Sequence, residues 1–183
     1  MKHGGVEILG LEVLGPVEIP FTRQTKGLGK RIDDGKRATF WNHYLAVTCK
    51  DKQGCYVFAL RSGKGFTPYY VGKAGKKSGG RLGGEVFADH KLRKYNSVLF
   101  EGSKGTPVIF FVVPPGSKKI VPNKILGEVE KYLIQAAKYE NDQLVNVQHT
   151  KNLPKWGIVG VIRGGQGKPA ATSMKFSKMM GIS

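Results

Sequence analysis

No uninterrupted apolar run of the chain exceeds six residues, and the run Val108–Val113 is followed by Pro114-Pro115. A short apolar run ended by prolines predicts a buried strand. It is far shorter than the roughly 20 residues that a membrane-spanning helix needs. The first residues also lack the continuous apolar stretch of a signal peptide, because Glu7 and Glu12 interrupt them. We therefore expect a cytoplasmic protein with no membrane partner.

The other apolar patterns predict a mixed order of strands and helices. Strands are expected at 55–61 and 69–73, which would pair as a hairpin. The clearest helix is expected at 122–139, because Pro122 stands near its first turn. Weaker patterns predict a strand or two within 5–19, a loop at 23–37, and helices at 38–49, 85–99 and 170–180. Together they predict an α/β or α+β fold in which helices pack on a small sheet.

The charge of the chain indicates a polyanionic partner. Thirty Lys and Arg residues stand against thirteen Asp and Glu residues, a net charge of +17 over 183 residues. Such an excess strains the compact state by self-repulsion, and nucleic acid is its usual explanation. Basic residues concentrate at 61–94, and no acidic residue follows Asp142. The only two cysteines, Cys49 and Cys55, do not form a disulfide framework, which favours a reducing compartment.

Glu130 is the most unusual residue of the long predicted helix. It lies at the edge of the apolar stripe, four residues after Leu126 and three before Leu133. A carboxylate against apolar side chains is costly to desolvate unless it finds a partner. Two explanations stay open: a structural ion pair with a nearby Lys or Arg, and a metal ligand or acid–base group. Glu128, by contrast, neighbours lysines on the solvated face.

Two tyrosines stand at matching places in the predicted hairpin. Gly54-Cys55-Tyr56 opens the first strand, and Tyr70-Val71-Gly72 closes the second. On adjacent antiparallel strands the two rings could lie side by side. Either tyrosine alone would usually be a core residue.

Taken in order, these features strongly resemble the GIY-YIG nuclease superfamily. Thirteen residues separate Tyr56 of the first tripeptide from Tyr70 of the second. The tripeptides are followed by Lys73, Arg81, the helical Glu130 and Asn146. The resemblance covers residues 53–147 and implies a small three-stranded sheet flanked by helices. It also implies hydrolysis of a phosphodiester bond in DNA with one divalent metal ion, Mg²⁺ or Mn²⁺.

The resemblance implies roles for the residues around the metal. Glu130 would be its sole protein ligand, since a hard cation takes carboxylate oxygen and leaves its other positions for water and phosphate. Tyr56 would help to activate the attacking water, and Tyr70 and Lys73 would orient and polarise it. A tyrosine serves as a base only if its neighbours lower its pKa, which the cations Lys73 and Arg81 are expected to do.

The remaining roles concern the phosphate. Arg81 would neutralise its developing charge, because a guanidinium matches phosphate bidentately. His90 or Tyr95 would assist near the scissile group, although His90 could equally be an ordinary helix residue. Asn146, sixteen residues after Glu130, would brace the site.

The flanking segments resemble no family. Residues 1–52 are expected to form an extension that packs on the core, and 148–183 a basic tail that contacts DNA or packs as a small helix. The residues expected to bind nucleic acid are Lys76, Lys77, Arg93, Lys94, Lys151 and Arg163. Two alternatives to an endonuclease stay open: a catalytically idle nucleic-acid-binding protein on the same scaffold, and a basic protein of a membrane or ribosome. The oligomeric state is left open.

Overall fold

The computed structural model describes residues 2–3, 6–7, 9–24, 29–75, 80–100, 104–146, 156–161 and 169–182. The helices among them are α1 (Arg37–Trp41), α2 (Tyr44–Cys49), α3 (Leu82–Glu85), α4 (Asp89–Phe100), α5 (Asn123–Glu140) and α6 (Ala171–Met179). The strands are β1 (Lys2–His3), β2 (Val6–Glu7), β3 (Leu9–Glu18), β4 (Phe21–Arg23), β5 (Lys30–Ile32), β6 (Gly54–Ser62), β7 (Gly65–Ala74), β8 (Thr106–Val113) and β9 (Trp156–Ile158). None of these helices combines the length and the apolar character needed to cross a membrane.

The main sheet has five strands in the order β7-β6-β8-β3-β9. The β6–β7 hairpin, the β6–β8 pair and the β3–β8 pair are antiparallel, whereas β9 runs parallel to β3. The mixed α/β fold class is confirmed, but the expectation of three strands is wrong. The physical reason is that β8 has two edges, and its second row of backbone N–H and C=O groups is paired by β3.

Helices cover both faces of the sheet, which explains why β8 is apolar without alternation. On one face Tyr56, Phe58 and Phe111 pack against residues of α1 to α4. On the other face Val57 and Phe110 pack against α5 and α6. We call these the α4 face and the α5 face. Successive residues of β6 therefore face different cores.

Two of the predicted helices differ in the structure. The helix predicted at 85–99 begins later, because Glu85 is the last residue of α3, the chain turns at Val86 and Phe87, which are both buried, and α4 starts at Asp89. The segment predicted at 38–49 forms α1 and α2, and the ring of His43 accepts a hydrogen bond from the Leu45 N–H at the start of α2. Helices α5 and α6 confirm their predictions closely.

The segment predicted as a loop at 23–37 instead contains β5 and a 3₁₀ turn at Asp34–Lys36. Strand β5 pairs with β4, and Ile32 is buried at its end. The terminal segments contribute to the main sheet, because β3 pairs with β8 and β9 extends the sheet beyond it. Helix α6 buries Phe176, Met179 and Met180 against the body.

The tightest contact within the hairpin joins Tyr56 to Gly72. The two residues are register partners on β6 and β7, and the phenol end of Tyr56 extends over the Gly72 Cα. A Cβ at Gly72 would lie 2.5 Å from Tyr56 Oη and closer still to Cζ. Only glycine leaves room for the ring in this position.

We expect Gly72→Ala to lower the free energy of unfolding by about 1–3 kcal/mol, because the added methyl group forces Tyr56 from its place. Urea unfolding measures the change. Gly84→Ala is the matched control, since a Cβ there meets no atom within 4 Å. Equal stability of the two variants would contradict the packing described here.

Candidate functional site

Four candidate residues lie on or beside β7, whose outer edge ends the main sheet of the described chain: Tyr70, Lys73, Glu130 and Asn146. Asn146 lies along this edge and pairs with Val71 as a neighbouring strand would. The Val71 N–H donates to Asn146 Oδ1 over 2.6 Å, and Asn146 Nδ2 donates to the Val71 carbonyl over 2.7 Å. The Val145 N–H donates to the Tyr69 carbonyl beside it. Asn146 therefore fixes the segment that follows α5 against the centre of β7.

Glu130 and Lys73 form an ion pair on the α5 face. Lys73 Nζ lies 2.6 Å from Glu130 Oε2, and the two side chains are 39% and 22% exposed. The lysine passes close to Gly127, where a Cβ would lie 3.9 Å from Lys73 Nζ, an ordinary van der Waals distance. The structure thus gives Glu130 the cationic partner that one of the two sequence explanations required. The pair remains within reach of solvent.

Tyr56 and Tyr70 lie on the opposite, α4 face, as diagonal neighbours across the hairpin. Their ring centroids are 6.2 Å apart, and the planes are inclined by 49°. The register explains the diagonal, because Tyr56 pairs with Gly72 and Tyr70 pairs with Phe58. The expectation that the two rings are neighbours is confirmed.

The hydroxyl of Tyr56 is the one buried side-chain polar atom without a hydrogen-bond partner among the described residues. The Tyr95 phenol lies nearby but donates its own hydrogen bond to the Val86 carbonyl, over 3.0 Å. Burial, followed by the neighbouring phenols of Tyr95 and Tyr70, raises the pKa of Tyr56 well above its ordinary value. A buried polar group without a partner costs about 1–3 kcal/mol.

Tyr70 has a charged partner that the sequence patterns did not reveal. Lys91 Nζ, on α4, donates a hydrogen bond to Tyr70 Oη and forms an ion pair with Glu85 Oε1 at 3.3 Å. The Lys91 and Glu85 side chains are only 11% and 10% exposed. The ammonium of Lys94 lies over the same ring, 4.8 Å from its centroid. Two lysines of α4 therefore contact Tyr70.

Burial raises the pKa of Tyr70, and the Lys91 ammonium opposes this rise, while the carboxylates of Glu130 and Glu85 add to it. The prediction that Lys73 and Arg81 lower the pKa of the tyrosines is therefore wrong. Lys73 extends from the other face of the sheet, and Arg81 Nη1 pairs with Asp51 Oδ1 at 3.2 Å. At neutral pH Tyr70 is a protonated phenol.

The residues expected near the phosphate are not assembled around the ion pair. Arg81 precedes α3, and its side chain is 65% exposed. His90 is exposed on α4, whereas Tyr95 is fully buried and stacks on Phe58 with 4.4 Å between ring centroids. Tyr95 is thus a core residue.

Of the residues expected to bind nucleic acid, Arg93 is exposed on α4, and Lys94 is half-buried over Tyr70. Lys76, Lys77, Lys151 and Arg163 lie outside the described residues.

The sequence contained a signal for Lys91, because it precedes the buried Tyr95 by four residues and so shares its side of α4. Glu85 was one of only two acidic residues in the basic segment 61–94. Their pairing depends on the turn between α3 and α4, which local patterns did not show.

Glu130 is the residue best placed to hold a cation. No group of three or more His, Cys, Asp or Glu side chains that could hold a metal ion occurs within the described part of the chain. The carboxylate already accepts a cation, the Lys73 ammonium. One such carboxylate suits Mg²⁺, which keeps several waters and binds substrate phosphate oxygens. Glu130 therefore offers one protein ligand to such an ion, which would take the place of the Lys73 ammonium.

Comparisons with known proteins found no match: no family model, no curated protein and no solved structure is significantly similar to this chain.

We expect the free energy of unfolding to fall as the pH rises above about 10. The folded pKa values of Tyr56, Tyr70 and Tyr95 are all raised above 10.0, so these phenols keep their protons in the folded state after the unfolded chain has lost them. Their contribution is complete below pH 10 and is lost at up to about 1.4 kcal/mol per pH unit for each tyrosine. Urea unfolding across this range, with Tyr70→Phe for comparison, measures the slope. A free energy of unfolding that stays constant in alkaline solution would contradict the result.

We expect Lys91→Met to lower the free energy of unfolding by about 3–5 kcal/mol, because it leaves Glu85 buried without its cation. Glu85→Gln should destabilise for the reciprocal reason, and the double variant should recover much of the combined loss. A double-mutant cycle measures the coupling.

The exposed Arg61–Glu18 pair, with 2.6 Å between Nη2 and Oε1, is the control for this cycle. Its coupling should stay below about 1 kcal/mol. Additive effects of Lys91→Met and Glu85→Gln would show that the buried pair is not coupled.

Proposed function

We propose that this protein is a divalent-metal-dependent endonuclease that hydrolyses phosphodiester bonds in DNA. The observation that carries the proposal is the ion pair of Glu130 and Lys73, which reaches solvent beside the edge of β7. Tyr70 lies behind this edge, and its pKa responds to the charge of Glu130. A carboxylate, an ammonium and a phenol near one strand provide groups for a cation, a phosphate and a water molecule.

Glu130 would hold one Mg²⁺ or Mn²⁺ ion, which when bound supplies a Lewis acid that stabilises charge on the phosphate. Lys73, now bonded to Glu130, would turn its ammonium towards a phosphate oxygen when a phosphodiester enters. Hydrolysis adds water across one P–O bond, so that the water oxygen joins phosphorus and a proton ends on the departing oxygen.

Tyr70 would act as a hydrogen-bond donor rather than as a base. An ammonium can only donate, so Tyr70 Oη accepts from Lys91 and keeps its own O–H for another acceptor. Its raised pKa keeps that proton in place at neutral pH. Lys91 and Glu85 thereby join the proposed site as residues that orient the Tyr70 proton towards a water molecule or a phosphate oxygen.

The charge of the chain supports DNA as the substrate. The net charge of +17 suits a polyanion, and Arg81 and Arg93 are exposed. Arg81 directly precedes α3 and, released from Asp51, would supply a bidentate partner for a phosphate.

A second candidate function is nucleic-acid binding without cleavage. One observation favours it: the Tyr56 hydroxyl is buried away from solvent. A protein that only binds DNA would use exposed basic residues such as Arg81 and Arg93 and would not need this hydroxyl.

We expect Glu130→Gln to reduce cleavage more than about a hundredfold, because it removes the only protein ligand proposed for the cation. It should keep or increase DNA affinity, because a negative charge near the phosphate is lost. The assay incubates the purified protein with supercoiled, linear and branched DNA, with and without Mg²⁺.

Glu128→Gln is the control, because it removes the same charge from the same helix two residues away. It should cut DNA at the wild-type rate. Undiminished cutting by Glu130→Gln would exclude Glu130 from the site, and binding without any cutting by the wild type would favour the second candidate.

A further inference from the structure

A basic cleft of about 210 Å³ lies between the turn of the β6–β7 hairpin and helix α6. Three lysines line it: Lys64 comes from the hairpin, and Lys175 and Lys178 come from α6. The two helical lysines are three residues apart and so project from the same side of α6. The cleft is thus positively charged on two opposing walls.

These lysines are available to a ligand. All three are exposed, and none pairs with a carboxylate of the described residues. The one acidic residue of the lining is Glu140, whose carboxylate lies against the backbone of Gly181 at the end of α6. The cleft therefore keeps a net positive charge, which favours an anion.

The apolar part of the cleft suits a nucleotide better than a free anion. Phe66, Pro68 and Met179 line it beside the lysines. Phe66 is partly exposed and packs edge-on against Phe110, with 5.2 Å between ring centroids, so its ring is fixed. Lysines beside a fixed aromatic ring are the combination with which proteins hold the backbone and a base of a nucleic-acid strand.

The cleft and the Glu130–Lys73 pair lie on the same face of the sheet. Helix α5 packs along β7 and carries Glu130 at one site and Glu140 at the other. Ten helical residues span about 15 Å. The five residue steps from Pro68 to Lys73 span about 17 Å of strand. One strand of B-DNA carries a phosphate about every 3.4 Å along the helix axis, so both lengths correspond to four or five steps along that axis.

We propose that this cleft binds the phosphate backbone of a DNA strand that continues along the α5 face past Glu130. The three lysines contact phosphates, and Phe66 contacts a sugar or a base. The position of the cleft relative to a cut rests on the proposed function, but the binding of DNA by the cleft does not.

The test compares two triple variants that remove the same charge. The cleft variant is Lys64→Ser/Lys175→Ser/Lys178→Ser. The control is Arg23→Ser/Arg31→Ser/Lys104→Ser, three exposed residues away from the cleft. Binding to duplex and single-stranded DNA is measured at several salt concentrations with a chelator present, so that no DNA is cut. Thermal unfolding verifies that both variants are folded.

Each phosphate contact contributes about 0.9 to the slope of log K against log salt for duplex DNA, and about 0.7 for a single strand. The cleft variant should therefore lower the slope by about 2–3, and the control by less than one. Equal slopes for the two variants, or an unchanged slope in the cleft variant, would overturn the proposal.

Inorganic phosphate, titrated into the wild type at constant ionic strength, distinguishes a strand from a free anion. We expect no saturable binding. If phosphate binds saturably to the wild type but not to the cleft variant, and the salt slope of DNA binding is unchanged in that variant, the ligand of the cleft is a small anion and not a DNA strand. If the cleft variant lowers the salt slope of DNA binding but the wild type never cuts DNA, the cleft proposal is kept and the nuclease proposal is rejected. If the wild type cuts DNA but the cleft and control variants have equal slopes, the nuclease proposal is kept and the cleft proposal is rejected.

Discussion

The structure depends on β8, which is paired on both edges and buried on both faces. Its apolar side chains separate into two cores, one closed by α1 to α4 and one by α5 and α6. Without β3 on one side or β6 on the other, a row of backbone N–H and C=O groups would be left unpaired in an apolar environment. Strand β7, which carries the candidate site, is anchored to this strand through β6.

Strand alternation divides the candidate site between the two faces. Tyr56 and Tyr70 belong to the α4 face, together with Lys91 and Glu85, whereas Lys73 and Glu130 belong to the α5 face. The outer edge of β7 is the place from which both sets can be approached. A ligand bound there would contact the partly exposed Glu130–Lys73 pair, because the phenols of Tyr56 and Tyr70 are buried.

The parts of the fold that depend on local pattern could be predicted from the sequence, because apolar spacing and proline positions determine β6, β8 and α5 almost alone. The two additional strands could not, because nothing within Leu9–Glu18 indicates which edge it will pair with. A cationic partner for Glu130 could be predicted, because a carboxylate at the edge of an apolar stripe needs one. That this partner is Lys73 could not be predicted, because it depends on how β7 lies against α5. The Lys91–Glu85 pair needed the turn at Val86 and Phe87, which is a tertiary feature.

Asparagine side chains take the place of a sixth strand at the β7 edge. Asn146 satisfies both backbone groups of Val71, and Asn141 Nδ2 donates to the Pro68 carbonyl. An outer strand with open backbone groups invites pairing with another copy of the chain and hence aggregation. The two amides occupy those groups without adding a further strand, so they oppose edge-to-edge association of two copies of the chain while Lys73 stays partly exposed beside them.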